Sequence, residues 1–219
     1  MLFRSQRIQD QDVAAVIRAA GASLTKLRPH HAYGILVHHA QDLMTEGGDR
    51  LWDALTDLRR RGSVEKIGVS VYHPEQLDAI LDRYPVDLVQ LPLNVYDQRF
   101  LQIGLLDRLK RAQVEVHTRS AFLQGLLLIA ADRLPGYFEP LRERQAAFHA
   151  RAHGMGLSPL AACLRFCLAQ PAIDRVIVGC ESAVQLAGIV EAAQAATSGD
   201  RPFEGGGLDR ESTRLNSSH

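Results

Sequence analysis

The chain has 219 residues, close to the size of one α/β domain, with 46% hydrophobic and 23% charged residues, as in soluble globular proteins. Basic and acidic side chains balance at 25 each, which removes any electrostatic case for nucleic acid or an anionic lipid surface as partner. No apolar run approaches the roughly 18 residues of a membrane span, Met1 to Gln6 lacks the apolar core of a signal peptide, and the three cysteines Cys163, Cys167 and Cys180 do not make a disulfide framework. A reduced, cytoplasmic setting is the expectation.

In chain order, Asp10 to Lys26 reads as a helix with Val13, Val16, Ile17, Leu24 and Leu27 at helical spacing, stopped by Pro29. A strand follows over Gly34–Val37. Asp49 to Arg61 is the next helix, with Leu51, Trp52, Leu55 and Leu58 as its apolar stripe and Gly62 at C′. Strand Ile67–Ser70 precedes a helix opened by Pro74, with Leu77, Ile80 and Leu81 facing inward. Strand Asp87–Leu91, helix Leu101–Arg111 (carrying Leu105, Leu106 and Leu109) and strand Val114–Thr118 come next. Helical stretches over about Leu141–His153 and Ser158–Ala169 follow, the second with an N-cap serine and Pro159 at N1. Strand Val176–Val178 and a helix over about Ser182–Ala196 complete the pattern. Cys163 and Cys167 lie four apart on one helix face, the place for buried small hydrophobes.

Strands alternating with helices imply right-handed βαβ crossovers and a parallel sheet. Periodicity alone allows a flavodoxin-like doubly wound sheet or a barrel. The strands are short and alike, and polar residues end nearly all of them rather than gathering at one switch point, which favours the barrel. The polar endings are His38 after Gly34–Val37, Ser70 after Lys66–Val69, Gln90 after Val86–Val89, Arg119 and Ser120 after Val114–Thr118, and Gly179 after Arg175–Val178. Parallel strands all end on the same side of a sheet, the side where α/β folds place their ligand sites. Several of these polar residues also have a plainer reading: a lone histidine after an apolar strand, such as His38, is otherwise a hydrogen-bonded structural residue. Gln90 is a core amide or a ligand contact, Asn94 a ligand contact or a shaper of the loop after Pro92, and Ser182 a ligand contact or a helix N-cap. The adjacent pairs His30-His31 and His38-His39 diverge on an extended strand, with no carboxylate or cysteine at ligand spacing, so no metal is expected and His39 is assigned to packing or surface. Lys66 reads as a solvated strand start, and Gly156-Leu157-Ser158-Pro159 as a turn and cap.

Taken together, His38, Lys66-Ile67-Gly68-Val69-Ser70, Asp87-Leu88-Val89-Gln90-Leu91-Pro92-Leu93-Asn94, Arg119-Ser120-Ala121-Phe122-Leu123-Gln124-Gly125-Leu126-Leu127, Gly156-Leu157-Ser158-Pro159-Leu160-Ala161 and Val176-Ile177-Val178-Gly179 with Ser182, Gln185 and Leu186 resemble the aldo/keto reductase superfamily in order and spacing. The match runs from about Ser23 to Ala196. The resemblance implies a (β/α)8 barrel and an NAD- or NADP-dependent oxidoreductase moving hydride to or from a small aldehyde, ketone or sugar carbonyl. It implies that His38 polarises the substrate carbonyl and that Ser70 and Gln90 hydrogen-bond the nicotinamide carboxamide. It places Arg119, Ser120, Phe122 and Gln124, with Gly125, along the nicotinamide and pyrophosphate, and Gly179, Ser182 and Gln185 at the adenosine-phosphate end. A glycine-led turn opening a helix agrees physically with that last assignment.

The chain departs from the family pattern at Val71, where asparagine is common, at Arg119, where an aromatic residue often covers the nicotinamide, and at Gly188-Ile189, where some members have Glu-Asn. Of the family's catalytic aspartate, tyrosine, lysine and histidine, only the histidine has a match. Tyr33 precedes its strand and lies at the opposite end from His38. Five strand signals against the eight of a full barrel give the expectation of a partial (β/α)8 barrel lacking about its first three βα units and inactive alone. Residues 1–208 are expected to form one domain. Asp209 to His219 resembles the translation of a sequencing-library adapter apart from Glu211, and is expected to be non-native. Two other functions remain in view: a non-catalytic nicotinamide-binding regulatory barrel, and a different barrel acting on phosphorylated sugars with Gly179–Ser182 as a phosphate site.

Overall fold

The computed structural model describes residues 7–27, 31–101 and 104–197. Met1–Gln6, Pro29, His30 and the 209–219 tail, each assigned above from sequence, lie outside the described residues. Five strands, β1 (Ala32–Val37), β2 (Val64–Ser70), β3 (Leu88–Pro92), β4 (Glu115–Arg119) and β5 (Arg175–Val176), form one sheet in the order β1-β2-β3-β4-β5. Pairing is parallel between β1 and β2, β2 and β3, and β4 and β5. Consecutive parallel neighbours, with helices between them, are the βαβ succession expected of a barrel wall. By contacts the chain forms two compact units, one of Met1–Leu91 with Asp107–Val116 and one of Pro92–Leu106 with His117–His219.

In the first unit, α1 (Asp10–Leu27), α2 (Gly48–Arg60) and α3 (Glu75–Arg83) accompany β1, β2 and the start of β3. Leu51, Trp52 and Leu55 of α2 are buried, and α2 packs on β2. Ile67, Val69, Leu77, Ile80 and Val89 are fully buried as well, each worth about 1.5–3 kcal/mol over an exposed position. Gly62 sits at C′ of α2 with φ +74°, donating to Arg59 O at 2.9 Å, as its sequence position implied. Gly68 lets β2 approach β3: a Cβ there would lie 1.7 Å from the Leu88 carbonyl oxygen. Burial, followed by the hydrogen bond to Asp49, pushes the Tyr84 phenol up to about 12.

Lys66 departs from the solvated role assigned above. Its ammonium bonds the Glu115 carboxylate and lies 5.2 Å over the Tyr33 ring, and the bond to Glu115 chiefly raises its pKa. The cause is topological. The first residue of β4 and the third of β2 reach one another at the amino ends of the strands, so the charge that leads β2 finds a partner inside the fold. Tyr33 also donates to Glu115.

In the second unit, α5 (Arg142–Gly154), α6 (Pro159–Leu168) and α7 (Ala183–Thr197) accompany β5 and the end of β4. The seven residues Ala161–Cys167 of α6 are all buried, and α6 packs against α5, α7 and β5. Ser158 caps α6 by accepting from Ala161 N–H at 3.2 Å, with Pro159 at N1 as expected. Cys163 and Cys167 are buried free thiols, and burial pushes Cys167 up to about 12. By contrast, Val184 of α7 is 83% exposed, and Leu186 and Val190 are exposed beside it.

Of the boundaries that differ from the sequence reading, two have a visible cause. Helix α4 (Leu105–Arg111) starts at Leu105 rather than Leu101, because Gly104 at φ +64° cannot continue a right-handed helix. Strand β5 closes at Val176 rather than reaching Val178. It stands at the end of the sheet order, and after its two ladder pairs Ile177 N–H donates to Thr118 O at 2.7 Å.

Candidate functional site

In the first unit the carboxyl ends of β1, β2 and β3 carry His38, Ser70 and Gln90. Val37 pairs with Val69 and Ser70 with Gln90, so the register brings all three residues to one level on neighbouring strands. Adjacent strands lie about 4.8 Å apart, close enough for one small planar group to touch two of these side chains at once. Gln90 is half-buried, and its carbonyl accepts from Val71 N–H at 2.9 Å. Ser70 is only 2% exposed, and its hydroxyl has no hydrogen-bond partner among the described residues. A buried hydroxyl left unmatched costs about 1–3 kcal/mol, and the fully buried Thr118 hydroxyl near the end of β4 is unmatched in the same way among the described residues. A primary carboxamide fits Ser70 and Gln90: it carries both a donor and an acceptor, as do the serine hydroxyl and the glutamine amide.

His38 is exposed beside this pair. Its Nδ1 lies 3.2 Å from His39 Nε2, and Tyr72 meets its ring edge-on with centroids 6.3 Å apart. His39 is exposed, as a surface residue is expected to be, but its ring turns toward His38 where strand divergence predicted that it would point away. Strand alternation ends at Val37, and His39, at φ −110° and ψ 87°, already leads the 3-10 turn Ala40–Met44, which swings its ring back.

In the second unit the rim is built differently. Beyond Arg119 the chain coils through Ser120 (φ +63°), Leu123 (+47°), Gln124 (+54°) and Gly125 (+88°). Such angles are rare for residues with a Cβ and persist only where surrounding bonds enforce them. Here they are enforced. Leu123 N–H donates to Ser120 O at 2.9 Å, Gly125 N–H to Phe122 O at 2.9 Å, and Leu126 N–H to Leu123 O at 3.1 Å. Asn94, fully buried, donates from Nδ2 to Ser120 O at 3.1 Å, while its Oδ1 accepts the N–H groups of Tyr96 and Asp97, each at 2.9 Å. Asn94 thus takes the loop-shaping alternative left open by the sequence. Phe122 is half-buried and Gln124 exposed on this coil, and Arg119 NH1 donates to Ser120 Oγ at 3.4 Å.

Gly179, Ser182 and Gln185 follow β5 on an exposed turn. Ser182 Oγ accepts from Gln185 N–H at 3.2 Å, and Gln185 Oε1 accepts from Glu181 N–H at 2.7 Å. Ser182 therefore caps α7 and Gln185 braces the turn before it, at the positive dipole end of this 15-residue helix. The Asn94 network was only partly readable beforehand: the Asn-x-Tyr-Asp order signals a turn, but nothing in it names Ser120 as the third partner. Among the described residues no group of three or more His, Cys, Asp or Glu could hold a metal ion, and no helix is long and apolar enough to cross a membrane.

Comparison with protein families matches residues 6–200 to the aldo/keto reductase family. The chain belongs to that family. Solved structures share its fold. An aldo-keto reductase from Bacillus halodurans, AKR11C1 in its holo form, superposes with a TM-score of 0.64 at 18% identity, covering 89% of this chain and 64% of that one. Its apo form gives 0.63 at 19% identity, covering 92% and 66%. The glycerol dehydrogenase AKR11B4 from Gluconobacter oxydans gives 0.63 at 20% identity, covering 96% and 69%. The chain thus spans just under two thirds of the length of the Bacillus halodurans enzyme. Among curated proteins, none matches.

Proposed function

We propose that this chain carries the cofactor-binding part of an NAD(P)-dependent oxidoreductase acting on a small aldehyde, ketone or sugar carbonyl, or on the corresponding alcohol. The observation that supports it best is the Ser70 hydroxyl, buried and without a partner among the described residues, in register with Gln90 and level with His38. In this reading Ser70 and Gln90 hold the nicotinamide carboxamide and set which face of the ring is presented. The bound nicotinamide supplies or accepts the hydride. His38 donates a hydrogen bond to the substrate oxygen, fixing its direction and favouring the charge that develops there. Arg119, Ser120, Phe122 and Gln124 lie along the nicotinamide and pyrophosphate, and Gly179, Ser182 and Gln185 lie at the adenosine-phosphate end. A cytoplasmic setting accords with the buried free thiols of Cys163 and Cys167.

Of the family's four catalytic residues only the histidine has a counterpart here, so the 219-residue chain by itself is expected to bind cofactor without turning over a carbonyl. Fluorescence titration with NADPH and NADH tests the reading. Saturable quenching or enhancement supports it. Absence of affinity for either, with inorganic phosphate binding retained, refutes it in favour of a barrel for phosphorylated sugars.

A further inference from the structure

His38 stands between two anchored turns of the first unit. His39 sets its ring edge-on to that of His38, with centroids 4.6 Å apart and planes at 89°, and its Nε2 lies 3.2 Å from His38 Nδ1. Tyr72 meets the His38 ring edge-on as well, at 6.3 Å. Both neighbours have fixed backbones. The His39 carbonyl accepts from Asp42 N–H at 2.9 Å, and the turn it leads buries Ala40 and Leu43. Tyr72 follows the fully buried Val71, and Gln76 Oε1 accepts the N–H groups of both Tyr72 and His73, at 2.8 and 3.0 Å.

Two neutral imidazoles joined from Nδ1 to Nε2 have two possible arrangements. If His39 Nε2–H donates to His38 Nδ1, both rings are Nε2–H tautomers, the form that a neutral histidine side chain favours in water. In the reverse arrangement His38 donates from Nδ1, and His39, accepting at Nε2, carries its proton on Nδ1. Both rings are then the disfavoured tautomer. Intrinsic preference favours the first arrangement, and the bond made at one ring nitrogen biases the state of the other.

We propose that His39 is a positioning residue, donating from Nε2–H to Nδ1 of His38 and so holding His38 as an Nε2–H donor, while Tyr72 limits the swing of the ring. This deepens, and rests on, the reading of His38 as the group facing the substrate oxygen. A carbonyl oxygen only accepts, so the nitrogen turned toward it must carry hydrogen. A His38 free to exchange tautomers would present a lone pair there part of the time.

The test is 15N-detected histidine NMR on the full chain, without cofactor or substrate, at a pH well above the ordinary histidine range. Loss of one resonance pair in His38→Gln assigns His38. The expected wild-type pattern is a protonated Nε2 with an unprotonated, hydrogen-bonded Nδ1. In His39→Phe, which keeps the ring contact but removes the donor, the His38 nitrogens shift toward a mixture of tautomers. In His39→Gln, whose amide can donate at similar reach, the single-tautomer pattern returns. A wild-type His38 protonated at Nδ1, or a His38 spectrum unchanged in His39→Phe, overturns the proposal. Because no cofactor is present, this outcome is separate from the NADPH and NADH titration: a chain that binds cofactor with His38 unchanged in His39→Phe overturns only the positioning role of His39. A chain that binds none overturns the catalytic purpose and leaves the hydrogen bond standing.

Discussion

The rim of the first unit and the rim of the second present polar groups by opposite means. At the ends of β1, β2 and β3 the backbone is regular, the ladder itself brings His38, Ser70 and Gln90 to one level, and the Ser70 hydroxyl has no partner among the described residues. After β4 the backbone is irregular, with three left-handed non-glycine residues between Ser120 and Gln124, and Asn94 is bonded on both its oxygen and its nitrogen. After β5, Ser182 caps a helix and Gln185 braces the turn before it. A regular ladder can hold a group open because it does not need that group for its own stability. An irregular coil must use its polar side chains to exist. Side-chain removal is therefore expected to cost stability at the second rim and ligand affinity at the first.

The largest expected effect attacks the regularity that the first rim depends on. Gly68→Ala drives a methyl into the Leu88 carbonyl, separating β2 from β3 just below the Ser70–Gln90 pair, and is expected to lower stability by about 3 kcal/mol in urea unfolding. A smaller but clear loss is expected at the second rim. Asn94→Ala strips partners from two buried N–H groups and the Ser120 carbonyl and is expected to cost about 2 kcal/mol. An Asn94→Ala chain as stable as wild type would remove the basis for treating the coil as enforced. Ser182→Ala deletes the cap of α7 and is expected to cost about 1 kcal/mol, measured as a lower midpoint at unchanged urea slope.

This contrast also explains what could be read from the sequence. Period-two and helical patterns are local, so all five strands, the Gly62 C′ position and the Ser158-Pro159 cap were legible, and with them the level at which His38, Ser70 and Gln90 stand. The rest depends on partners distant along the chain or on backbone angles that residue type does not announce. Nothing marks Leu123 for φ +47°. Nothing in Lys66 reveals a carboxylate 49 residues away. The direction of His39 was misread because alternation was carried two residues past the strand that justified it, and the helix start at Leu101 because the apolar spacing runs on through Gly104.

The central claim, that Ser70 is kept unpaired for a ligand, is tested most directly by one paired measurement on Ser70→Ala: urea stability together with affinity for NADPH and NADH. Removing a buried hydroxyl that has no partner is expected to leave stability equal or slightly higher, while affinity for the nicotinamide cofactor falls about tenfold, the worth of one hydrogen bond of roughly 1.4 kcal/mol. A variant that loses stability and binds cofactor as tightly as wild type would contradict the account.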